Sequence, residues 1–284
     1  ASVGLDNDFS IAVYAWEQKV CIATSKGSKS KILGLRFGKD LNTLVTCGVR
    51  HVSFWQIKGS TLKSQKGLFG GRGNSKITNY KNGDVIQKKN MNPLQTAVTI
   101  GRVDGGHIVT GMANGEIYKW NKHKLGERVL AHSKAVTAMW SYSDGIISGS
   151  QDGTIIMFNN DLIQQRIVDI NRLWWKLSDP TATSSSSTIE VDSTGSVDLR
   201  TSMNAAIQSI TMKDGKLLLG TKGCEIIELD TQTLKQLDAS KGKEKMIVSC
   251  PIMHAHCSGE TWGVATHPAK DQFITCGDDC TGRL

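Results

Sequence analysis

The stretch Gly145-Ile-Ile-Ser-Gly-Ser-Gln-Asp-Gly-Thr-Ile-Ile-Met-Phe158 decides how this chain is read. An apolar run, a polar turn at Asp152-Gly153 and a second apolar run ending in an aromatic spell two antiparallel strands. Asp and Gly suit such a hairpin because both tolerate the positive φ of a tight turn. The same frame recurs from Gly106 to Trp120, with Asn114-Gly115 at its turn, from Lys216 to Leu229, and from Leu44 to Trp55. The chain opens inside another frame (Ser2 to Asp6, then Phe9 to Tyr14 and Trp16) and closes inside a sixth, from Phe273 to Leu284.

The residue that ends the second strand of a frame falls at Tyr14, Trp55, Trp120, Phe158 and Leu229, at spacings of 41, 65, 38 and 71. A period of about 40 residues is that of one four-stranded propeller blade, and the two longer spacings carry insertions. So many short strands in one sheet would leave exposed edges, which radial blades protect. The expected fold is all-β, a propeller with blades at 28–75, at 76–131 with a basic hairpin inserted, at 132–170, and at 171–238 with a serine-rich loop inserted. Residues 1–27 and 239–284 read as incomplete blades. With strands cut at both ends and Ala1 in place of an initiator Met, the sequence reads as a piece of a longer polypeptide.

Composition narrows the function. With 284 residues, 39% hydrophobic and 21% charged, 29 glycines and 4 prolines, the chain is neither collagen, coiled coil nor disordered tail. No apolar run approaches the roughly 20 residues of a spanning helix, so no membrane partner is expected. The net charge of +8 is uneven. Residues 1–90 hold 15 Lys and Arg against 5 Asp and Glu, a charge of +10, while residues 91–284 hold 19 against 21. Lys58, Lys63, Lys66, Arg72, Lys76, Lys81, Lys88 and Lys89 form a cluster with Asp84 as its only anion, a pattern suited to an acidic partner. The segment Ile77 to Gln87 reads as a hairpin on an Asn82-Gly83 turn that carries part of this charge outward.

At His132, Ser148 and Asp152 the chain resembles WD40 repeat proteins. In that family a His before the first strand, a Ser or Thr on the second, an Asp in the turn and a Trp on the third form a hydrogen-bonded set. Phe158 stands where the Trp is expected, so that blade lacks the indole donor, and Arg50 and Gly223 replace the Asp in other repeats. His256, Thr275 and Asp279 match in the last repeat. The order of His132, Ser148 and Asp152 fits a structural network in the blade and not a catalytic triad.

A narrower resemblance rests on successive phrases: Gly48 to Trp55, Lys66 to Gly70, Ala131-His132, Leu219 to Lys222 with Glu225 to Asp230, and Gly259 to Pro268. In order and approximate spacing they resemble the echinoderm microtubule-associated protein-like family. That resemblance implies two atypical propellers packed as one unit, and a non-enzymatic structural protein that binds tubulin and microtubules in the cytoplasm or cytoskeleton. Other cytoskeletal or axonemal proteins are the further expected partners, with a ciliary axoneme as a setting. The eight basic residues from Lys58 to Lys89 are the candidate contacts with acidic tubulin. Residues 75–95 and 181–196 read as insertions, so a partner surface built on them would be particular to this chain, and within the second the stretch 181–188 reads as a loop with too little apolar surface to order itself.

Two other classes compete. A general WD40 scaffold for another complex uses the same fold, and fold alone does not fix function. Nucleic-acid binding is permitted by charge but disfavoured, because only Phe69 and Tyr80 lie among the cations as stacking groups and no RRM, KH or zinc-finger signature occurs. No cofactor is expected. Gly67 to Gly73 lacks the G-x4-G-K-[ST] pattern of a phosphate loop and reads as a turn. Seven irregularly spaced cysteines point to reduced thiols. His254, His256, Cys257, Cys276 and Cys280 lack the C-x2-C spacing of a zinc site. Trp174-Trp175 reads as packing between blades in preference to a binding anchor, and Trp262 as core packing in a first strand.

Overall fold

Runs such as Leu44-Val45-Thr46-Cys47 and Ile146 to Ser150 are buried at every position, as in strands covered on both faces. β-Branched and apolar residues favour such pleated, packed surfaces. The computed structural model describes residues 1–69, 76–79, 85–87, 95–170, 205–231, 253–254, 261–278 and 280–284. The chain divides into two compact units, residues 1–148 with 157–165 and residues 149–156 with 166–284.

In the first unit, β1 (Ser2–Val3), β2 (Ile11–Ala15) and β3 (Val20–Ser25) form one antiparallel meander. β4 (Ile32–Phe37), β5 (Thr43–Gly48), β6 (His51–Lys58) and β7 (Thr61–Lys66) form the next. A parallel contact of Thr24 with Thr61 joins them into one seven-stranded sheet. The hairpin of β8 (Lys76–Asn79) and β9 (Val85–Gln87) pairs Ile77 with Ile86, and its Asn82-Gly83 turn lies outside the described residues. The hairpin is added to a third meander, β10 (Ala97–Arg102), β11 (Ile108–Met112), β12 (Glu116–Asn121) and β13 (Lys124–Leu130). β8 runs parallel to β13, with Ile77 beside Arg128 and Asn79 beside Leu130.

A four-stranded sheet follows, β14 (Val136–Tyr142), β15 (Gly145–Ser150), β16 (Thr154–Asn159) and β17 (Gln164–Asp169). The second unit holds β18 (Ile207–Lys213), β19 (Lys216–Thr221), β20 (Glu225–Asp230) and β21 (Met253–His254). Its other sheet is β22 (Thr261–Thr266), β23 (Phe273–Gly277) and β24 (Gly282–Arg283).

Two clusters of buried side chains lie in the first unit among the described residues. Ile11, Val13, Leu44, Trp55 and Leu62 form one, and Cys47, Ile100, Met112, Tyr118 and Trp120 lead the other. Phe54 and Phe69 meet Trp120 edge-on, with ring centroids 5.7 and 5.1 Å away, a favourable aromatic geometry. Two arginines stitch neighbouring sheets. Arg36 of β4 donates to the Ile100 carbonyl, and Arg102 of β10 donates back to the Gly38 carbonyl, both at 2.8 Å. In the second unit Leu218, Ile226 and Val264 pack together with Phe273.

One irregularity repeats. The first strands β4, β10, β18 and β22 each carry a bulge, at Leu33, Val98, Gln208 and Trp262, where an extra residue faces no partner. The pair that follows always contains one glycine: Gly34 with Cys47, Thr99 with Gly111, Ser209 with Gly220, Gly263 with Cys276. The approach is close. A Cβ on Gly34 would lie 2.9 Å from Cys47 Sγ, one on Gly111 2.8 Å from Thr99 Cγ2, and one on Gly263 2.8 Å from Cys276 Sγ.

The bulge overturns the expectation that Trp262 is core. It lies in a first strand, but as the extra residue it turns outward, is 56% exposed and donates its indole N–H to Asp278. The turns differ too. Only Gly153 and Gly115 take positive φ, at 78° and 84°, while Asp152 and Asn114 do not. The Asp152 carboxylate instead accepts the backbone N–H of Thr154 at 3.0 Å, and the Asn114 side-chain oxygen accepts that of Glu116 at 3.2 Å. These are Asx turns closed by a left-handed glycine.

Candidate functional site

Alternation along β6 and β7 decides where the basic residues point. Gln56 pairs with Lys63, Lys58 with Thr61, and Ser53 with Lys66. Paired residues share a face and successive residues alternate, so Lys58 and Lys63 stand together while Lys66 faces the other way. All three are exposed. Lys76 lies in β8, and Arg72, Lys81, Lys88 and Lys89 lie outside the described residues. The structure thus brings two of the eight predicted residues to one place.

Lys58 and Lys63 stand on the wall of a cleft of about 1180 Å³ within the first unit. It opens where the β4–β5 turn, the β6–β7 hairpin, the β10–β11 loop and the β12–β13 turn come together. Those connections bring Lys39, Lys122, His107 and His123, which sequence reasoning missed. A signal for them existed: these turns join the first and second or the third and fourth strands of their repeats, and so emerge at the same end of each meander. Four lysines line the cleft against one carboxylate, Asp40. Among the described residues none of the four forms an ion pair. Gln56, Gln65 and Asn121 add amide side chains, and Trp55 and Trp120 close the floor, 4% and 1% exposed.

The staple residues are distributed differently from the sequence expectation. Trp55 donates to Thr46 Oγ1 at 2.9 Å, and Trp120 to Thr110 Oγ1 at 3.0 Å, so the indole leg exists in two sheets where His and Asp are missing. In the β14–β17 sheet, His132 Nε2 lies 2.8 Å from Ser148 Oγ, and buried Phe158 replaces the indole. His132 is 2% and Ser148 0% exposed, so a substrate in solvent does not reach the pair. Thr275 is buried in β23, while His256 and Asp279 lie outside the described residues.

A second buried network was not legible in the sequence. Arg128 of β13 pairs with Glu116 of β12, donates to Tyr118 Oη at 2.8 Å and stacks 4.7 Å from the Tyr118 ring centroid. Tyr118 donates in turn to Glu116 Oε2 at 2.9 Å. Burial, then the neighbouring carboxylate, pushes the Tyr118 phenol well above its usual range, so it stays a proton donor to Glu116.

Among the described residues no group of three or more His, Cys, Asp or Glu is placed to hold a metal ion. His256 and Cys257 of the weighed zinc set lie outside them, and Cys276 and Cys280 are exposed free thiols. No helix among the described residues is long and apolar enough to cross a membrane. Trp174 and Trp175 and the serine-rich stretch lie outside the described residues.

Comparison with known proteins follows the same lines. The family described as WD domain, G-beta repeat matches residues 125–159. The ciliary WD repeat-containing protein ctxp80 of Euplotoides octocarinatus is 26% identical over 96% of this chain and 30% of its own length. Echinoderm microtubule-associated protein-like 2 of Rattus norvegicus is 24% identical over 98% of the chain and 34% of its own length. The human echinoderm microtubule-associated protein-like 4 is 22% identical over 96% of the chain and 23% of its own length. The chain therefore spans about a quarter to a third of the length of these relatives. Among solved structures, the computationally designed Ika8 protein aligns with TM-score 0.53 at 14% identity, over 92% of this chain and 60% of that one. A chain of the Mitotic Checkpoint Complex aligns with TM-score 0.51 at 12% identity, over 86% and 56%. Likeness at such identity carries the fold alone, and the fold is the β-propeller that the repeat frames predict. Residues 125–159 match the WD40 repeat, and over nearly its whole length the chain resembles the echinoderm microtubule-associated protein-like family.

Proposed function

We propose that this chain is a propeller segment of a non-enzymatic microtubule-associated protein, binding the tubulin lattice through exposed basic residues, with a ciliary axoneme among its settings. The observation that carries the reading is similarity across nearly the whole chain to proteins named for microtubule association and for cilia. The exposed lysines of β6 and β7 support it, because an acidic polymer surface is attracted to a positive one. Each exposed contact contributes little, about 1 kcal/mol or less, so several must act together. The chemistry of the interior supports a binding role: its His-Ser and Glu-Tyr-Arg groups are buried.

Cosedimentation with stabilised microtubules tests this. The protein is expected to pellet with polymer at physiological salt and to be released as salt rises. Charge reversal at Lys58, Lys63, Lys66 and Lys76 is expected to shift most of it to the supernatant. Wild-type protein that stays in solution at micromolar tubulin overturns the reading, and unchanged pelleting of the variant overturns the residue assignment.

A further inference from the structure

We infer that the cleft lined by Lys39, Lys58, Lys63 and Lys122 is a docking groove for an extended, glutamate- or aspartate-rich peptide segment. This deepens the microtubule reading by naming the chemistry the site takes, and it rests on that reading only for the source of the segment.

Three observations carry it. The first is uncompensated charge: four lysine ammonium groups share one concave site with a single carboxylate, and none is paired among the described residues. Concave walls of low dielectric strengthen a field of one sign. The second is the mixture of partners. Gln56, Gln65 and Asn121 line the same cleft and can meet the backbone N–H and C=O groups of an extended chain, while the ammonium groups meet its carboxylates. Point-charge lysines tolerate varied carboxylate positions, unlike the fixed fork of arginine. The third separates peptide from nucleic acid. Single-stranded nucleic acid needs aromatic faces for its bases, yet Trp55 and Trp120 are buried and their indole N–H groups already bonded. The other rings on the wall, Phe54, His107 and His123, are half-buried, with Phe54 packed edge-on against Trp120, so the cleft offers charge and amides but no fully exposed stacking platform.

The walls are also set in advance. The Gly38 carbonyl is held by Arg102 at 2.8 Å, and Lys39 packs against Gly106, where a Cβ would lie 2.8 Å from the Lys39 side chain. A site already in place loses less freedom on binding.

The experiment uses a fluorescein-labelled deca-glutamate peptide, with fluorescence anisotropy read on the 284-residue chain. Binding is expected in the micromolar range, weakening several-fold between 50 and 300 mM salt. The triple variant Lys39→Glu, Lys63→Glu, Lys122→Glu is expected to weaken it at least tenfold. A control of equal charge change on exposed lysines outside the cleft, Lys19→Glu, Lys29→Glu and Lys134→Glu, is expected to change it less than threefold. Circular dichroism confirms that both variants keep the strand signal. Equal losses in the two variants, or no peptide binding by the wild type, overturn the proposal. Tighter binding of a deca-thymidine oligonucleotide that the cleft variant alone loses overturns it in favour of nucleic acid. Cosedimentation runs in parallel. Pelleting without peptide binding sinks the groove and leaves the microtubule reading, and peptide binding without pelleting does the reverse.

Discussion

The β10–β13 and β14–β17 sheets are built on the same frame and satisfy their interiors by different chemistry. The first uses an ion pair, Arg128 with Glu116, tied to Tyr118, and an indole bond from Trp120 to Thr110. The second uses a hydrogen-bonded pair, His132 with Ser148, a carboxylate that closes its own turn, Asp152 with Thr154, and an apolar Phe158. The WD domain family matches residues 125–159, which ends with the second sheet's β16 and leaves β10 to β12 outside. A blade therefore keeps its geometry while its polar staple is exchanged, and recognition from sequence follows the staple more than the geometry.

The sharpest way to break this comparison is Arg128→Met. It strands the Glu116 carboxylate in the interior, at a cost of about 3 to 5 kcal/mol, whereas replacing both partners costs far less. Urea unfolding should show a large drop in midpoint for the single variant and substantial recovery for the double variant Arg128→Met, Glu116→Gln. A drop of equal size in both would show that the network contributes no pairing.

Trp120→Phe converts the first sheet toward the second. Losing the indole donor while filling most of the volume should cost about 1 to 2 kcal/mol, read as a lower Tm. In that background Thr110→Val should cost little further, because the hydroxyl has already lost its indole donor and keeps only its weak contact with Met112 Sδ, and a double-mutant cycle measures that coupling. Additive losses would show that the indole bond is incidental. The smallest effect is expected for Ser148→Ala, about 1 kcal/mol. Its measure is the His132 imidazole signal in NMR, which should move with the variant and stay fixed in Trp120→Phe.

Much of the fold was legible because turns are local. Asn114-Gly115 and Asp152-Gly153 marked the β11–β12 and β15–β16 hairpins, and Gly-rich or short polar turns marked β5–β6 and β19–β20. The site was legible only in part. Lys58 and Lys63 are close in sequence, whereas Lys39 and Lys122 reach the same cleft from turns of two different meanders. Composition locates a charge and topology decides its company. Arg128 was hidden for a related reason. Its partner Glu116 lies across a strand pair, and a charged residue in a strand reads by default as solvent-facing. The parallel joining of β8 to β13 was equally out of reach, since a hairpin's turn fixes its own register and says nothing about the strand it docks on.

The bulges at Leu33, Val98, Gln208 and Trp262 have one more consequence. Each inserts a half-period into its strand, so inward and outward positions change places there. A hydrophobicity trace read across any of these strands falls out of phase midway, and the strand looks irregular although its pairing is sound. The four positions work as phase marks. They keep the glycine-containing pair beyond each of them in the crowded place, while the bulged residue itself is free to be leucine, valine, glutamine or tryptophan.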